Sequence, residues 1–318
     1  MAQDSCCGDR LVNATLVATN LSKWFGEVVA VNKLEVEIGT GVTGLLGPNG
    51  AGKSTFIKLA TGLLRPSQGS IMLMGKRVWN NYPVLSKVGY CPEADKLYDD
   101  MTGFEFVSWM ARYSGLGRRA VKPAAEKAIE LLSMTHRMHD RIPTYSRGMR
   151  QRIKLAQAIV HDPQVIFLDE PMAGLDPEGR EDMFSLIREM GEQGRTVIVS
   201  SHILYEIERV TNNVILLNRG CVLARGNVHD IRELIDEHPH TISIHCNAPR
   251  LVASHFVSQD DVLSVEFESE DGGVTIQTRR PNKFYPQLAE LITSGRIDIQ
   301  RIECPDDNLQ SVFEYLVK

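Results

Sequence analysis

The chain has 318 residues, of which 43% are hydrophobic and 24% are charged, and its 35 basic and 40 acidic side chains give a net charge of −5. This balance gives no support for a nucleic-acid-binding protein, which would usually show a basic excess. No apolar run approaches the roughly 20 residues that span a bilayer. We therefore expect no nucleic-acid partner and a cytoplasmic location, with any link to a membrane made through another protein.

The predicted elements begin after a polar segment, residues 1–13, which we expect to be a disordered leader. From Leu16 onward, short β-rich runs alternate with helical stretches, and this alternation is typical of a mostly parallel sheet covered by helices. The predicted strands include Val42–Leu46, Val165–Leu168 and Thr196–Val199, and a helix is predicted over Lys53–Gly62.

A more helical region, about residues 95–160, lies between the first two of these strands. Thr102 and Glu105 have the T-x-x-E spacing of a capping box and predict the start of one helix. Farther along, Asp176 and Pro177 predict the N-cap and first position of another.

The composition changes near Glu237–His240, and the remaining segment predicts the order βαββαβ of a small ferredoxin-like domain. A hairpin turn is predicted at 271–273 and a last helix over Leu309–Leu316. The predicted organisation is thus a leader over 1–13, a nucleotide-binding domain over 14–236 and an α+β accessory domain over 237–318. The accessory domain shows no catalytic constellation, so we interpret it as a docking or regulatory module.

A glycine-rich segment fits the pattern G-x-x-x-x-G-K-[ST], between a predicted strand and a predicted helix, which is the context that this motif requires. Its residues are Gly47, Pro48, Asn49, Gly50, Ala51, Gly52, Lys53, Ser54 and Thr55. The glycines let the main-chain N–H groups wrap around a phosphate. Lys53 is expected to reach the β- and γ-phosphates, and the Ser54 hydroxyl to bind Mg²⁺. Alone, the motif predicts an NTPase and does not choose among kinases, GTPases and motors.

Two further segments end apolar strands with polar groups. Val165–Glu170 is a buried strand followed by two carboxylates, of which Asp169 is expected to complete the Mg²⁺ shell. Glu170 is expected to polarise the attacking water. His202 follows Thr196–Val199 and is expected to donate to a γ-phosphate oxygen, although a lone histidine there is more often structural.

The segment Tyr145–Gln151 precedes a predicted helix and has two interpretations. In one, Ser146 is an ordinary N-cap. In the other, the Ser146 hydroxyl and the Gly148 N–H face the γ-phosphate of a nucleotide held by another molecule. One chain does not need two anion-binding helix starts to hold one nucleotide. Two chains arranged head to tail do need both, because each nucleotide then contacts one helix start from each chain.

The order of these motifs resembles that of the ATPase subunits of ABC transporters, over about Leu16–Asp230. The segments already described resemble the Walker A motif (Gly47–Thr55), the Walker B motif with its catalytic glutamate (Val165–Glu170), the signature motif (Tyr145–Gln151), the D-loop (Ala173–Asp176) and the switch histidine (His202). The resemblance implies that Asp176 helps to bind nucleotide. It also places Phe25 where the family stacks an aromatic ring on adenine.

Two positions depart from the pattern of that family. Glu93 stands where the family usually has Gln, and the resemblance implies that this carboxylate meets Mg²⁺ or the attacking water. The signature reads YSRGM where LSGGQ is common, so Arg147 is expected to add a cation near the phosphate. Both features resemble the drug- and polysaccharide-export branch, whose ATPases often carry a C-terminal extension.

The resemblance implies a P-loop NTPase core with a mostly parallel sheet, an antiparallel β subdomain and a helical subdomain, followed by the small C-terminal α+β domain. It implies an ATPase that uses ATP and Mg²⁺ to power transport, with a lean to export, through a separate membrane permease. The partner in the head-to-tail dimer is a second copy or a homologous subunit, and the pair lies on the cytoplasmic face of the membrane.

Two alternatives remain open at this stage. One is a non-transport ABC ATPase, such as a translation or DNA-maintenance factor. Such proteins resemble tandem cassettes or carry long coiled-coil insertions, which this chain does not show. The other is a regulatory module that holds ATP without turnover, against which Glu170 and His202 argue.

Overall fold

The computed structural model describes residues 14–94, 96–228, 240–267 and 273–304. The chain divides into two compact units, Met1–Gly226 and Asn227–Lys318, which we call the N-terminal and C-terminal units. The expected leader at 1–13, the proposed boundary at 236/237, most of the hairpin turn at 271–273 and the last helix over Leu309–Leu316 lie outside the described residues.

The N-terminal unit opens with an antiparallel sheet. Its four strands are arranged in the order β2-β1-β4-β5. They are β1 (Leu16–Phe25), β2 (Val28–Ile38), β4 (Gln68–Leu73) and β5 (Lys76–Arg77). This sheet is the antiparallel β subdomain that the family resemblance predicts.

A second sheet of six strands forms the centre of the N-terminal unit. Its order is β10-β9-β3-β8-β7-β6, and the four pairings from β9 across to β6 are parallel. The strands are β3 (Gly41–Leu46), β6 (Val88–Cys91), β7 (Val165–Asp169), β8 (Thr196–Ser201), β9 (Asn213–Asn218) and β10 (Cys221–Asn227). Strands β7 and β8 are buried along their whole length, because parallel strands are covered on both faces. The predicted mostly parallel sheet is therefore confirmed.

Helix α1 (Lys53–Ala60) packs in one core with residues of both sheets. Phe56 and Ile57 of this helix are fully buried in the same cluster as Leu21 of β1 and Phe167 of β7. The helix ends two residues earlier than predicted, because the chain turns at Gly62, whose φ of 71° lies in the left-handed region that ends helices. The helix that follows the phosphate loop is thus held rigidly from both sides.

Among the described residues between β6 and β7, three α-helices form a helical region: α3 (Gly103–Tyr113), α4 (Arg118–Glu130) and α5 (Arg147–Ile159). The N-terminal unit also contains α2 (Tyr82–Leu85), α6 (Pro177–Glu192) and α7 (Leu204–Glu208). The predicted capping box of Thr102 and Glu105 is confirmed at the start of α3. The predicted N-cap of Asp176 is confirmed at the start of α6. Helices α3, α4 and α5 pack on one another through buried apolar faces.

Over residues 240–267 and 273–304, the C-terminal unit has the element order βαββαβ. Its elements are β11 (His240–Cys246), α8 (Pro249–Phe256), β12 (Val262–Phe267), β13 (Gly273–Thr278), α9 (Pro281–Thr293) and β14 (Ile299–Glu303). The strands form an antiparallel sheet in the order β12-β13-β11-β14. The two helices pack on it through Phe256 and Phe284, whose ring centroids lie 4.2 Å apart.

Within the described part of the chain, no helix combines the length and the apolar character that a bilayer crossing requires.

Candidate functional site

The glycine-rich segment forms a turn between β3 and α1. Gly50 and Gly52 have φ angles of 82° and 103°, in the left-handed region that favours glycine. A Cβ atom on Gly52 would lie 2.6 Å from the Ala30 carbonyl oxygen, and one on Gly47 would lie 2.4 Å from that of Leu217. The turn therefore needs glycine at these positions both for its conformation and for its close contacts.

Lys53, the first residue of α1, is only 6% exposed. Its Nζ donates to the main-chain oxygens of Gly47 at 2.7 Å and Pro48 at 3.3 Å. It also lies 3.5 Å from Oε1 of Glu170, which follows β7. The ammonium group thus stands between the phosphate-loop turn and the end of the neighbouring buried strand.

Asp169 is the last residue of β7 and is 1% exposed. Its Oδ1 accepts from the Ser54 hydroxyl at 3.2 Å and from the Ser200 hydroxyl at 2.7 Å. The predicted metal-binding groups Ser54 and Asp169 are therefore in direct contact, although 115 residues separate them in the chain.

Glu170 has a φ angle of 50°, which is uncommon for a residue with a side chain. Its main-chain N–H donates to Ser200 Oγ at 2.9 Å, so one hydroxyl on β8 contacts both Asp169 and Glu170. Such backbone conformations persist only when the surroundings hold them, and they concentrate at functional sites. The turn at Glu170 follows the end of the strand, and the Glu170 carboxylate lies beside Lys53.

His202 lies beside Glu170, with Nδ1 3.1 Å and 3.0 Å from the two carboxylate oxygens. Burial raises the pKa of Glu170, whereas the hydrogen bond from His202 and the charge of Lys53 lower it. Burial dominates, so the carboxylate binds a proton more tightly than an ordinary glutamate does. A carboxylate of that kind is suited to accept a proton from a bound water.

Phe25 ends β1 and is 49% exposed. The Lys23 ammonium lies 5.1 Å from the centroid of its ring. An exposed aromatic face with a cation beside it is able to stack on a planar ligand.

The remaining predicted nucleotide contacts begin other helices. Ser146 is exposed at the N-cap of α5, and its Oγ accepts from the Met149 N–H at 3.3 Å. Asp176 is exposed at the N-cap of α6, where Oδ1 accepts from the Gly179 N–H at 3.0 Å. Gly148, in the first turn of α5, is half-buried, and a Cβ atom there would make an ordinary van der Waals contact with Leu175 at 3.6 Å. The Ser146 and Asp176 side chains thus accept hydrogen bonds from N–H groups of their own helices and remain exposed.

The two residues that depart from the family pattern occupy different surroundings. Glu93 is exposed, and no hydrogen bond or ion pair within the described residues joins its carboxylate to Asp169 or Ser54. The Arg147 side chain, expected near a phosphate of the partner, packs on the loop before α6 within its own chain. A Cβ atom on Gly174 would lie 2.2 Å from Arg147 Nε.

Two features of the site escaped the reasoning from sequence. Ser200 orients both carboxylate residues, and its position at the end of an apolar strand was the signal available. Helix α5 carries Gln151 toward the loop after β7, Lys154 toward the loop after β6, and Gln157 toward β6 itself. Their signal was a row of polar residues at helical spacing, in a helix that leads into a buried strand.

Comparisons with known proteins identify relatives of this chain. The sequence pattern of the family described as "ABC transporter" matches residues 31–173. The uncharacterised ABC transporter ATP-binding protein YhcH of Bacillus subtilis is 34% identical over 274 residues, which cover 86% of this chain and 85% of the relative. The Nod factor export ATP-binding protein I of Cupriavidus metallidurans is 33% identical over 307 residues, or 95% of this chain and 97% of the relative. The bacitracin transport ATP-binding protein BcrA of Enterococcus faecalis is 30% identical over 302 residues, or 94% of each.

Solved structures give the same result for the fold. One, described as the structure of an ATP-binding subunit of an ABC transporter, is 27% identical, with a TM-score of 0.64 over 70% of this chain and 93% of that chain. A bacterial ABC transporter cassette described as dimeric is 20% identical, with a TM-score of 0.63 over 67% of this chain and 98% of that one.

Proposed function

This chain belongs to the family of ABC transporter ATP-binding subunits, and from that premise we propose how its residues bind and hydrolyse ATP and what the hydrolysis drives. Members of this family hydrolyse ATP to power transport. We infer that ATP binds at Gly47–Thr55, that Glu170 activates the water, and that a second ATPase subunit completes the site.

One observation carries this proposal: residues from three separated segments meet at the carboxyl ends of adjacent parallel strands. Lys53 lies 3.5 Å from Glu170, Ser54 lies 3.2 Å from Asp169, and His202 lies 3.0 Å from Glu170. In open α/β sheets, ligands bind outside the carboxyl ends of the strands. A phosphate-binding turn, a metal-binding pair and a base in one place are the parts that phosphoryl transfer to water needs.

The donor set fits Mg²⁺. The Ser54 hydroxyl and the Asp169 carboxylate are hard oxygen ligands in mutual contact beside the phosphate turn. When bound, Mg²⁺ neutralises charge on the phosphate oxygens. Glu93 is a further candidate for the metal or the water, because its loop begins where β6 ends and β6 pairs with β7.

The protein groups then divide the chemistry among them. The main-chain N–H groups of the turn and the Lys53 ammonium hold the phosphates. Glu170 accepts a proton from the attacking water, and His202 holds the Glu170 carboxylate and donates to the γ-phosphate. Phe25 stacks on the adenine ring.

The head-to-tail dimer follows from the accessible start of α5. Ser146 and Gly148 offer a hydroxyl and a main-chain N–H at a helix N-terminus, which is a favourable place for a phosphate. We propose that they cover the γ-phosphate bound by the partner, and that Asp176 contributes from the loop beside them. Either a second copy of this chain or a homologous subunit serves as that partner. ATP favours closure because only the closed dimer makes these contacts, and hydrolysis removes them.

The relative named for Nod factor export supports an export direction through a separate membrane permease. The subunit then works on the cytoplasmic face of the membrane, bound to that permease. The net charge of −5 is consistent with a partner other than nucleic acid.

The test is an affinity capture of Glu170→Gln with MgATP from detergent-solubilised native membranes, with partners identified by mass spectrometry. A polytopic membrane protein in stoichiometric amount is the expected result. Recovery of ribosomal or DNA-associated proteins alone would overturn the proposal in favour of a translation or DNA-maintenance factor. The same capture with Lys53→Ala is the control, because that variant cannot hold the nucleotide that closes the dimer.

A further inference from the structure

Helix α5 carries a row of three long polar side chains that donate to main-chain carbonyls of strand β6 and of the loops after β6 and β7. Gln151 Nε2 donates to the Pro171 oxygen at 2.9 Å, directly after Glu170. Gln157 Nε2 donates to the Tyr90 oxygen at 2.7 Å, within β6. Between them in the sequence, Lys154 Nζ donates to the oxygens of Pro92 and Glu93, both at 3.1 Å.

Lys154 is unusual among these three because it is a charged residue that is only 3% exposed. Burying an ammonium group costs free energy unless strong hydrogen bonds compensate. The surroundings are apolar and closed to solvent, since the neighbouring Cys91 is fully buried. Hydrogen bonds from a charged donor in such a place are strong and hold their acceptors in a defined geometry.

We propose that Lys154 is a positioning residue, which fixes the loop after β6, and with it Glu93, to the helix that begins at Ser146. The inference rests on the proposed function, because Glu93 has a role only if ATP is hydrolysed at this site. It adds a residue that touches neither nucleotide nor water, and it assigns the effect of that residue to one loop.

The geometry gives the reason. Two consecutive carbonyls, which belong to the peptides on either side of Glu93, accept from a single ammonium group, so the orientation of the main chain at Glu93 is fixed relative to α5. That orientation determines where the Glu93 side chain leaves the main chain. A rigid helix of 13 residues connects this contact to the Ser146 end. A shift of the Ser146 end of α5 therefore moves the Glu93 loop with it or breaks the Lys154 hydrogen bonds.

The main test compares Lys154→Met with wild type, using Lys122→Met as the matched control. Methionine keeps the unbranched shape and loses the donors, while Lys122 is an exposed lysine on α4. For Lys154→Met we expect kcat to fall about tenfold with KM for ATP changed by less than about twofold, a loss of ~1.4 kcal/mol in the transition state. Hydrogen exchange of the main-chain amides that follow Pro92 is expected to speed up by at least about tenfold. Lys122→Met should change none of these quantities.

A double-mutant cycle with Glu93→Ala tests whether the loss of kcat in Lys154→Met acts through Glu93. Once the Glu93 carboxylate is gone, Lys154→Met should lower kcat by less than about twofold further, because both changes remove one function. Lys154→Gln, which keeps an N–H donor, should recover part of the activity, and it replaces Lys154→Met if that variant does not fold.

The inference is overturned if hydrogen exchange after Pro92 stays at the wild-type rate, or if the loss of kcat is equally large with and without Glu93. A wild-type protein without ATPase activity would instead refute the proposed function, while the exchange measurement would still report on the contact itself.

Discussion

Helices α1 and α5 both begin at turns that contain glycine and offer free main-chain N–H groups, yet the chain surrounds them differently. The start of α1 is enclosed, with Lys53 buried against the loop carbonyls and against Glu170. The start of α5 is exposed, and Ser146 serves its own helix as a cap. The first turn is built for a phosphate by the contacts within one chain, whereas the second presents donors outward.

The charge around the two helix starts differs as well. Lys53 directs its ammonium group into the phosphate turn. Arg147, next to Ser146, packs on Gly174 and so links α5 to the loop before α6. This difference supports the proposal that one subunit completes a single phosphate site and lends half of another to its partner.

The largest effect is expected at the enclosed start of α1, where Lys53 contacts Glu170. Glu170→Gln removes the base while keeping the size of the side chain, and kcat should fall about 1,000-fold, within the range that general bases contribute. The measurement is steady-state phosphate release, with Glu189→Gln on the exposed face of α6 as the control. Full activity in Glu170→Gln would exclude this residue as the base.

A smaller effect is expected at the exposed start of α5. Ser146→Ala should lower kcat about 100-fold, as for the loss of one donor to developing charge, while the Kd of the isolated subunit for ATP stays unchanged. Thr102→Ala is the control, since it removes another N-cap of the helical region, at a cost of about 1 kcal/mol in stability. If both variants lose activity to the same degree, the effect of Ser146→Ala is only the loss of a helix cap.

Phe25→Ala tests the proposed contact between the adenine ring and the aromatic side chain that ends β1. Losing a stacking contact should raise the Kd for ATP about tenfold, and kcat at saturating ATP should remain close to wild type. The neighbouring Trp24, which is 42% exposed, supplies the control Trp24→Ala. Equal losses of affinity in both variants would argue against a specific stacking role for Phe25. Fluorescent-nucleotide titration gives the required constants.

The smallest expected effect is on thermal stability, and it comes from burial of the Glu170 carboxylate. Burial raises the pKa of Glu170 in the folded state, so ionising this group destabilises the fold as the pH rises through that raised pKa. Below the ordinary glutamate value, about 4.3, this cost is absent. The Tm of Glu170→Gln relative to wild type should therefore increase with pH, by about 3 °C for each ~1 kcal/mol. A difference that shrinks as the pH rises would show that the contacts with His202 and Lys53 outweigh burial.

Much of the N-terminal unit could be predicted from sequence, because its signals are local. The phosphate turn, the capping box at Thr102 and the N-cap at Asp176 each use residues close together in the chain. The left-handed backbone at Glu170 and the contacts of Lys154 were not predictable in this way. They depend on a hydroxyl from another strand and on carbonyls of distant loops, and main-chain acceptors leave no mark in the sequence.

Strand β8 lies between β3 and β7 in the parallel sheet, and this placement has a consequence for synthesis. Its first residue pairs with Gly41, which the ribosome makes about 150 residues earlier, so a long loop must close before these two strands meet. Ser200, which holds both carboxylate residues, arrives with that same strand. A nascent chain that ends before β8 therefore has the phosphate turn and both carboxylates but lacks their shared support. We expect the geometry of both carboxylates to be fixed only once β8 has entered the sheet, before the partner subunit that ATP turnover requires is bound.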